Sequence, residues 1–304
     1  MSDLSAVVFE TRGLLAVSGE ESRDFLQNLV SNDVTKISPA RAVFATLLTP
    51  QGKYLHDFFV AEMTLGGETA LVLDTEAGRL AELTRRLTMY RLRAKLDLRE
   101  LSGDFAAIAA FGDGAAEAMG LTGSQEGAAR AFASGISFVD PRYAALGVRA
   151  LVPRGNAAAA MAASGFALAD EAAYERHRLA LGVPDGSRDV IVDKSMPLEY
   201  GFDDLHAIDY EKGCYVGQEL TARTHHRGTI RKRLYRVDID GTPPPPGTQI
   251  LFGETKAGEM RSACGDLGLA LLRTEHVEAA EQAGEPLVAD GAKLTPVKPA
   301  WARF

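Results

Sequence analysis

Cysteine is scarce here: two residues in 304, Cys214 and Cys264. No CxxC pair exists, so thiols alone cannot form a self-contained zinc or iron–sulfur site. Stapling by disulfides is not expected either, in a chain long enough for two or three hydrophobic cores. No window approaches 18 uninterrupted apolar residues, so no membrane-spanning helix and no membrane partner are predicted. The opening MSDLSAVVFETRG lacks a basic segment followed by an apolar stretch. It does not read as a secretory signal, and a cytoplasmic location is the default expectation. Positive charge is also in deficit, with 33 Lys and Arg against 41 Asp and Glu and a net charge of −8. That balance argues against broad nucleic-acid binding.

What is present reads as an ordinary globular composition, 46% hydrophobic and 24% charged. Ala6–Phe9 and Leu14–Val17, with Arg12-Gly13 between them, suggest a hairpin. Ser18-Gly19-Glu20-Glu21 has the spacing of a capping box before a helix carrying Phe25, Leu26, Leu29 and Val30. Strands fit 42–48, 54–61 and 70–73, with Thr49-Pro50-Gln51-Gly52 as a turn, and a helix fits 76–89. Strict alternation predicts a half-buried strand over 90–98. Strands at 105–111, 135–139 and 147–152 and helices at 113–119 and 155–164 make a second half like the first in outline. A helix ending near Leu181 leads into 183–211, which has no sustained periodicity, as functional connections often do. Beyond Gly228, short strands at 234–239, 248–252, 260–264, 266–272 and 286–289 read as a small barrel or sandwich. The fold class is α+β, divided into residues 1–228 and a C-terminal β domain over 229–304.

Chemistry concentrates in Lys212-Gly213-Cys214-Tyr215-Val216-Gly217-Gln218-Glu219. The two glycines suggest tight turns or close approach to a ligand. A helix beginning near Gly217 and the cation of Lys212 would both favour a thiolate at Cys214. Packing as a small apolar side chain is the competing reading of that cysteine. Glu219 could orient Gln218, pair with Arg223 one turn on, or meet a ligand. Residues 212–236 hold seven basic side chains and one acidic one, a basic island in an acidic chain. Cys264, between Ala263 and Gly265, reads as packing.

KGCYVGQE resembles the signature of the YgfZ-type folate-binding family, relatives of the glycine-cleavage T-protein aminomethyltransferase. The continuation LTARTHHRGTIRKRL is similar to the mitochondrial iron–sulfur assembly branch of that family. So are Tyr174–Arg178, Gly182–Gly186, Arg188-Asp189 and Pro197–Glu199. Residues 25–34, FLQNLVSNDV, resemble the family's first helix, and residues 48–57, LTPQGKYLHD, its first hairpin. The T-protein has an acid where this chain has Cys214. It also has a pterin-binding glutamate where this chain has Ala180.

The resemblance implies two α+β lobes of T-protein-like architecture and a small β-barrel around a central folate pocket. It implies tetrahydrofolate as ligand and a role in assembling or maintaining iron–sulfur clusters. Cys214 would then be the functional thiol, assisted by Lys212, with Gly213, Tyr215, Gly217, Gln218 and Glu219 shaping its loop. One thiol cannot hold a cluster alone, so Cys214 would share one with a carrier or client protein, or do transient redox chemistry. Asp57, Arg93, Lys95, Glu199 and Arg223 are the candidates for the folate pocket, with basic side chains suited to the glutamate tail. A monomer is expected. The alternatives are a folate-dependent aminomethyl transferase using Asp57 or Glu199 as its acid, and a folate-binding module with a structural Cys214.

Overall fold

Short apolar runs, buried along most of their length, build two sheets in the first two-thirds of the chain. The computed structural model describes residues 4–123 and 125–304. A five-stranded sheet runs Val43–Leu48, Tyr54–Leu65, Glu68–Glu76, Arg12–Ser18 and Asp97–Glu100 in spatial order. One of its faces, with Leu15, Val17, Phe58, Val60 and Leu73, packs on Phe25 and Leu26 of helix Ser22–Gln27 and on Leu83 and Leu87 of helix Leu80–Arg91. A six-stranded sheet runs Ala167–Leu168, Ser5–Val8, Phe105–Phe111, Val148–Pro153, Gly135–Val139 and Ala129–Phe132. Its Ala-rich face lets helix Ala157–Ala163 approach through Ala157 and Met161. These elements belong to one compact unit, formed by residues up to Leu48, Leu55–Tyr174 and Leu205–Val216.

Between the two sheets lies a buried ion network. The Asp74 carboxylate accepts from Arg12 Nε at 2.7 Å and from Arg149 Nη2 at 2.7 Å. Arg142 Nη2 donates to Asp140 at 2.8 Å. All three guanidiniums lie against the ring of Phe59, at 5.6, 4.8 and 4.0 Å for Arg12, Arg142 and Arg149. Burial alone would raise the Asp74 carboxyl, but Arg12 and Arg149 hold it below the usual range.

The second unit comprises Thr49–Tyr54, Glu175–Asp204 and Gly217–Phe304. It contains a closed six-stranded barrel, in the order Lys232–Asp240, Leu267–Arg273, Thr255–Cys264, Gln249–Phe252, Leu287–Ala289 and Ala292–Val297. Val237, Ile250, Met260, Ala270, Leu272 and Leu294 fill its interior. The α+β lobes and terminal barrel are as expected, and the first barrel strand begins at Lys232. The compact unit that holds it also takes in Glu175–Asp204 and helix Gln218–Arg227.

Several local expectations are corrected. Ser5–Val8 and Arg12–Ser18 are not a hairpin; the chain leaves one sheet and enters the other between them. Ser18 does not cap the first helix, because it pairs with Ala70 as the last residue of its strand. The alternation at 90–98 is not a strand over its length. Helix Leu80–Arg91 continues through Tyr90, Leu92 turns out at φ 46°, and only Asp97–Glu100 enters the sheet. Helix Thr274–Ala283 was not foreseen, although Val277 and Ala280 at helical spacing and Gly284 as a left-handed stop mark it. Among the described residues no helix is long and apolar enough to cross a membrane.

Candidate functional site

The segment Leu205–Val216 has no strand and no α-helix of its own. Its backbone polar groups must therefore find partners elsewhere, and they find them on residues 27–46. Asn32 Nδ2 donates to the carbonyls of Phe44 and His206, each at 2.7 Å. Ser31 Oγ donates to Ala207 O at 2.6 Å, and Asp209 N–H donates to Ser31 O at 3.0 Å. Lys36 pairs with Asp209. Asp209 Oδ1 also accepts from the N–H groups of Glu211 and Lys212, at 2.9 and 3.2 Å. Against the upward push of burial, the Lys36 ammonium and these N–H groups hold the Asp209 carboxyl low. His206 sits at φ 58°, a left-handed conformation that non-glycine residues seldom adopt.

Lys212 is the main anchor. Its Nζ donates to three carbonyls, those of Gln27 at 2.8 Å, Val30 at 2.6 Å and Asn32 at 2.7 Å. An ammonium has three N–H donors, so all three are used. The Tyr215 ring lies 5.3 Å from the same nitrogen. Burial pushes the Lys212 ammonium down to about 8, opposed by Asp33 and Asp209. Helix Ser22–Gln27 and the turn after it thus offer their terminal carbonyls to a cation, as helix C-termini favour. The role visible for Lys212 is to hold the loop, whereas the sequence suggested a cation serving the thiol.

Two residues on, Cys214 is exposed. Tyr215 is buried and Val216 packs on the core of the five-stranded sheet, so the thiol stands between two fixed points. Gly213 has open space where a Cβ would go and no left-handed φ, so no tight turn explains it. Gly217 does need its freedom, at φ 85° as N-cap of Gln218–Arg227. That helix begins four residues after Cys214, with Gln218 half-buried and Glu219 exposed in its first turn. Cys264 ends a barrel strand and is half-buried.

A cavity of about 460 Å³ is lined by His206, Ile208, Asp209, Tyr210 and Glu211 of this loop and, among others, by Asn32, Lys36, Arg41, Phe44 and Glu126. Phe44 also stacks with Arg142 of the ion network, at 5.5 Å. The five folate-pocket candidates do not line this cavity. Asp57 is buried on strand Tyr54–Leu65, while Arg93 and Lys95 are exposed. Glu199 is half-buried and Arg223 exposed, both in the unit that contains the barrel. Arg12, Asp74, Asp140, Arg142 and Arg149 were not singled out, because apart from Asp140 and Arg142 they lie far from one another in sequence.

Comparison with known proteins agrees with this architecture. Residues 231–304 match the family model described as CAF17, C-terminal beta-barrel domain. The crystal structure of the glycine cleavage system aminomethyltransferase T from Bartonella henselae superposes with a TM-score of 0.75 over 99% of this chain and 86% of its own, at 14% identity. That shows a shared fold. The human protein named "Iron-sulfur cluster assembly factor IBA57, mitochondrial" is 35% identical over 310 residues, 91% of this chain and 82% of its own. The Mycosarcoma maydis protein named "Iron-sulfur cluster assembly factor IBA57 homolog, mitochondrial" is 35% identical over 245 residues, 77% of this chain but 57% of its own length. Both relatives are mitochondrial by name, which overturns the expected cytoplasmic location. That expectation was a default resting on a missing secretory signal, which does not distinguish the cytosol from other compartments. With this identity and coverage, the chain belongs to the IBA57 family.

Proposed function

We propose that this protein acts in iron–sulfur cluster assembly, the role its IBA57 relatives carry in their names, with Cys214 as its working thiol. The observation that carries the reading is an exposed cysteine on a loop that Lys212 fixes to three carbonyls. Positioning of this kind keeps a donor available without paying for its ordering at each encounter. A cluster requires about four ligands, mostly thiolates. Cys214 is the one thiol of its loop, so a carrier or client protein would supply the others and the cluster would be cargo held between the two.

Tetrahydrofolate is proposed to occupy the cavity behind the loop. The volume is in the range of roughly 300–1,000 Å³ typical of small-ligand sites. Phe44 offers a ring for stacking, His206 a polar edge, and Arg41 a cation for a glutamate tail. When bound, tetrahydrofolate supplies a reduced pterin. The chain's own part is to orient it and to couple its presence to the loop through Asn32 and Asp209. Equilibrium dialysis against tetrahydrofolate tests this half, and no binding would remove it.

Reconstitution tests the thiol. Iron and sulfide added to wild type together with a cysteine-bearing cluster carrier should give a mixed complex with visible charge-transfer absorption. Cys214→Ser should abolish that complex and leave the circular dichroism unchanged. A complex of equal yield with the variant would end the role of Cys214 as ligand.

A further inference from the structure

Near the barrel end of the basic island, cations outnumber the carboxylates within their reach. Lys232 and Arg273 are directly opposite on neighbouring antiparallel barrel strands. Like charges in that position repel and destabilise a sheet. The Lys232 ammonium makes no hydrogen bond or ion pair with any described residue, and the Arg273 guanidinium reaches only Glu275 among them, at 3.4 Å. Both line a cavity of about 240 Å³ on the outer face of the barrel, together with Lys256, Arg261 and Glu259. Four cations there face one carboxylate. That carboxylate is already shared between Arg261 at 2.8 Å and Lys256 at 3.9 Å.

Arg261 adds an independent sign. It is 6% exposed, and its Nε is buried with no acceptor among the described residues. It stands where the register of Thr255–Cys264 shifts between Met260 and Ala263. A bulge of this kind re-aims a side chain and is typical of sites rather than of plain sheet. The next residue fixes the bulge, since Ser262 N–H donates to Asp189 Oδ1 at 3.0 Å. A buried guanidinium donor without an acceptor is costly unless something supplies one.

A second cavity of about 330 Å³ shares Lys232 and Arg273 with the first and is walled by Met196, Leu198 and Ile230 among others. Charge and shape thus divide along one groove. One end is strongly cationic, the other partly apolar, and the opposed pair sits at the join. A single carboxylate would leave most of the cationic excess unbalanced. One phosphate monoester carries about −1.5 to −2 at neutral pH, with three oxygens suited to guanidinium forks. Two phosphoryl groups would roughly neutralise the cationic end.

We propose that this double cavity binds a small phosphorylated molecule, with two phosphoryl groups among Lys232, Arg273, Lys256 and Arg261 and an apolar body beside Met196, Leu198 and Ile230. The proposal does not depend on Cys214. Pyrophosphate is the probe for the cationic end. Calorimetric titration of the full chain should show one-site binding. Lys232→Gln and Arg273→Gln should each weaken it by at least about tenfold. Glu259→Gln, which removes the carboxylate lining that cavity, should tighten it. Lys232→Gln relieves the opposed charges, so it should melt no lower than wild type in the absence of anion, and a folding defect cannot mimic the result. Three outcomes would overturn the proposal. One is the absence of binding at millimolar pyrophosphate, and another is equal affinity for citrate. The third is displacement by tetrahydrofolate, which would give these cations to a glutamate tail.

Discussion

Two parts of the basic segment 212–236 handle their charge in opposite ways. Lys212 is buried and spends all three donors on carbonyls. Lys232 is half-buried and faces Arg273 across the strand pair, and its ammonium bonds to no described residue. The difference lies in the acceptors. The turn after Ser22–Gln27 ends in free carbonyls, while the outer barrel face has little but other cations. A run of positive charge in a sequence is therefore not one site. Here it is a structural anchor at one end and part of the proposed anion site at the other.

The comparison can be broken at several points. The largest effect is expected in the ion network between the sheets, which shares with Lys212 the feature of full pairing. Asp74→Asn would leave Arg12 and Arg149 around a neutral acceptor and should cost about 3–5 kcal/mol in urea unfolding. A loss below about 1 kcal/mol would mean that the network is not held by its charges.

His56 tests the same rule on a group kept neutral. It is buried, and burial first and Arg79 second push it down to about 3 from 6.5. The unfolded chain then takes up more protons than the folded one between those values. Stability should be complete above pH 6.5 and fall as pH drops toward 3, by on the order of 4 kcal/mol at the acid end. Glu82, brought down to about 2, acts in the same direction below pH 4.5. His56→Gln should flatten the upper part of that slope, and an unchanged slope would assign it to other groups.

Lys212→Met should follow, at about 3 kcal/mol, since three carbonyls lose their donor. Lys212→Arg should not restore them, because a planar fork does not match three converging acceptors. Hydrogen exchange should localise the loss to residues 205–216 and 27–33. Protection that is unchanged there would show the anchor to be redundant. The smallest effect belongs to the other end of the island. Lys232→Gln should change stability by less than about 0.5 kcal/mol, in the stabilising direction.

The eight-residue motif and most barrel strands were legible because they rest on local signals, dense polar chemistry and short alternating runs between turns. The lobes were legible in outline for the same reason. What Lys212 does was not, since its acceptors lie 180 to 185 residues earlier. The segment FLQNLVSNDV read only as a helix like the family's first and KGCYVGQE as the chemical motif, and the fold shows that one receives the other. The Arg12–Asp74–Arg149 network is likewise long-range, at separations of 62 and 75 residues. The strand expected over 90–98 failed for a different reason. Helical continuation through Arg91 uses the same residues, and alternation in a short exposed stretch does not decide between them.

The central claim is that Cys214 is the working thiol and that the anchored loop exists to present it. Cells deleted for this protein and complemented with wild type, Cys214→Ser or Cys264→Ser test it most directly, with the activity of four-iron cluster enzymes as the readout. Wild type and Cys264→Ser should restore that activity, and Cys214→Ser should fail at equal protein level. Full rescue by Cys214→Ser would contradict the claim.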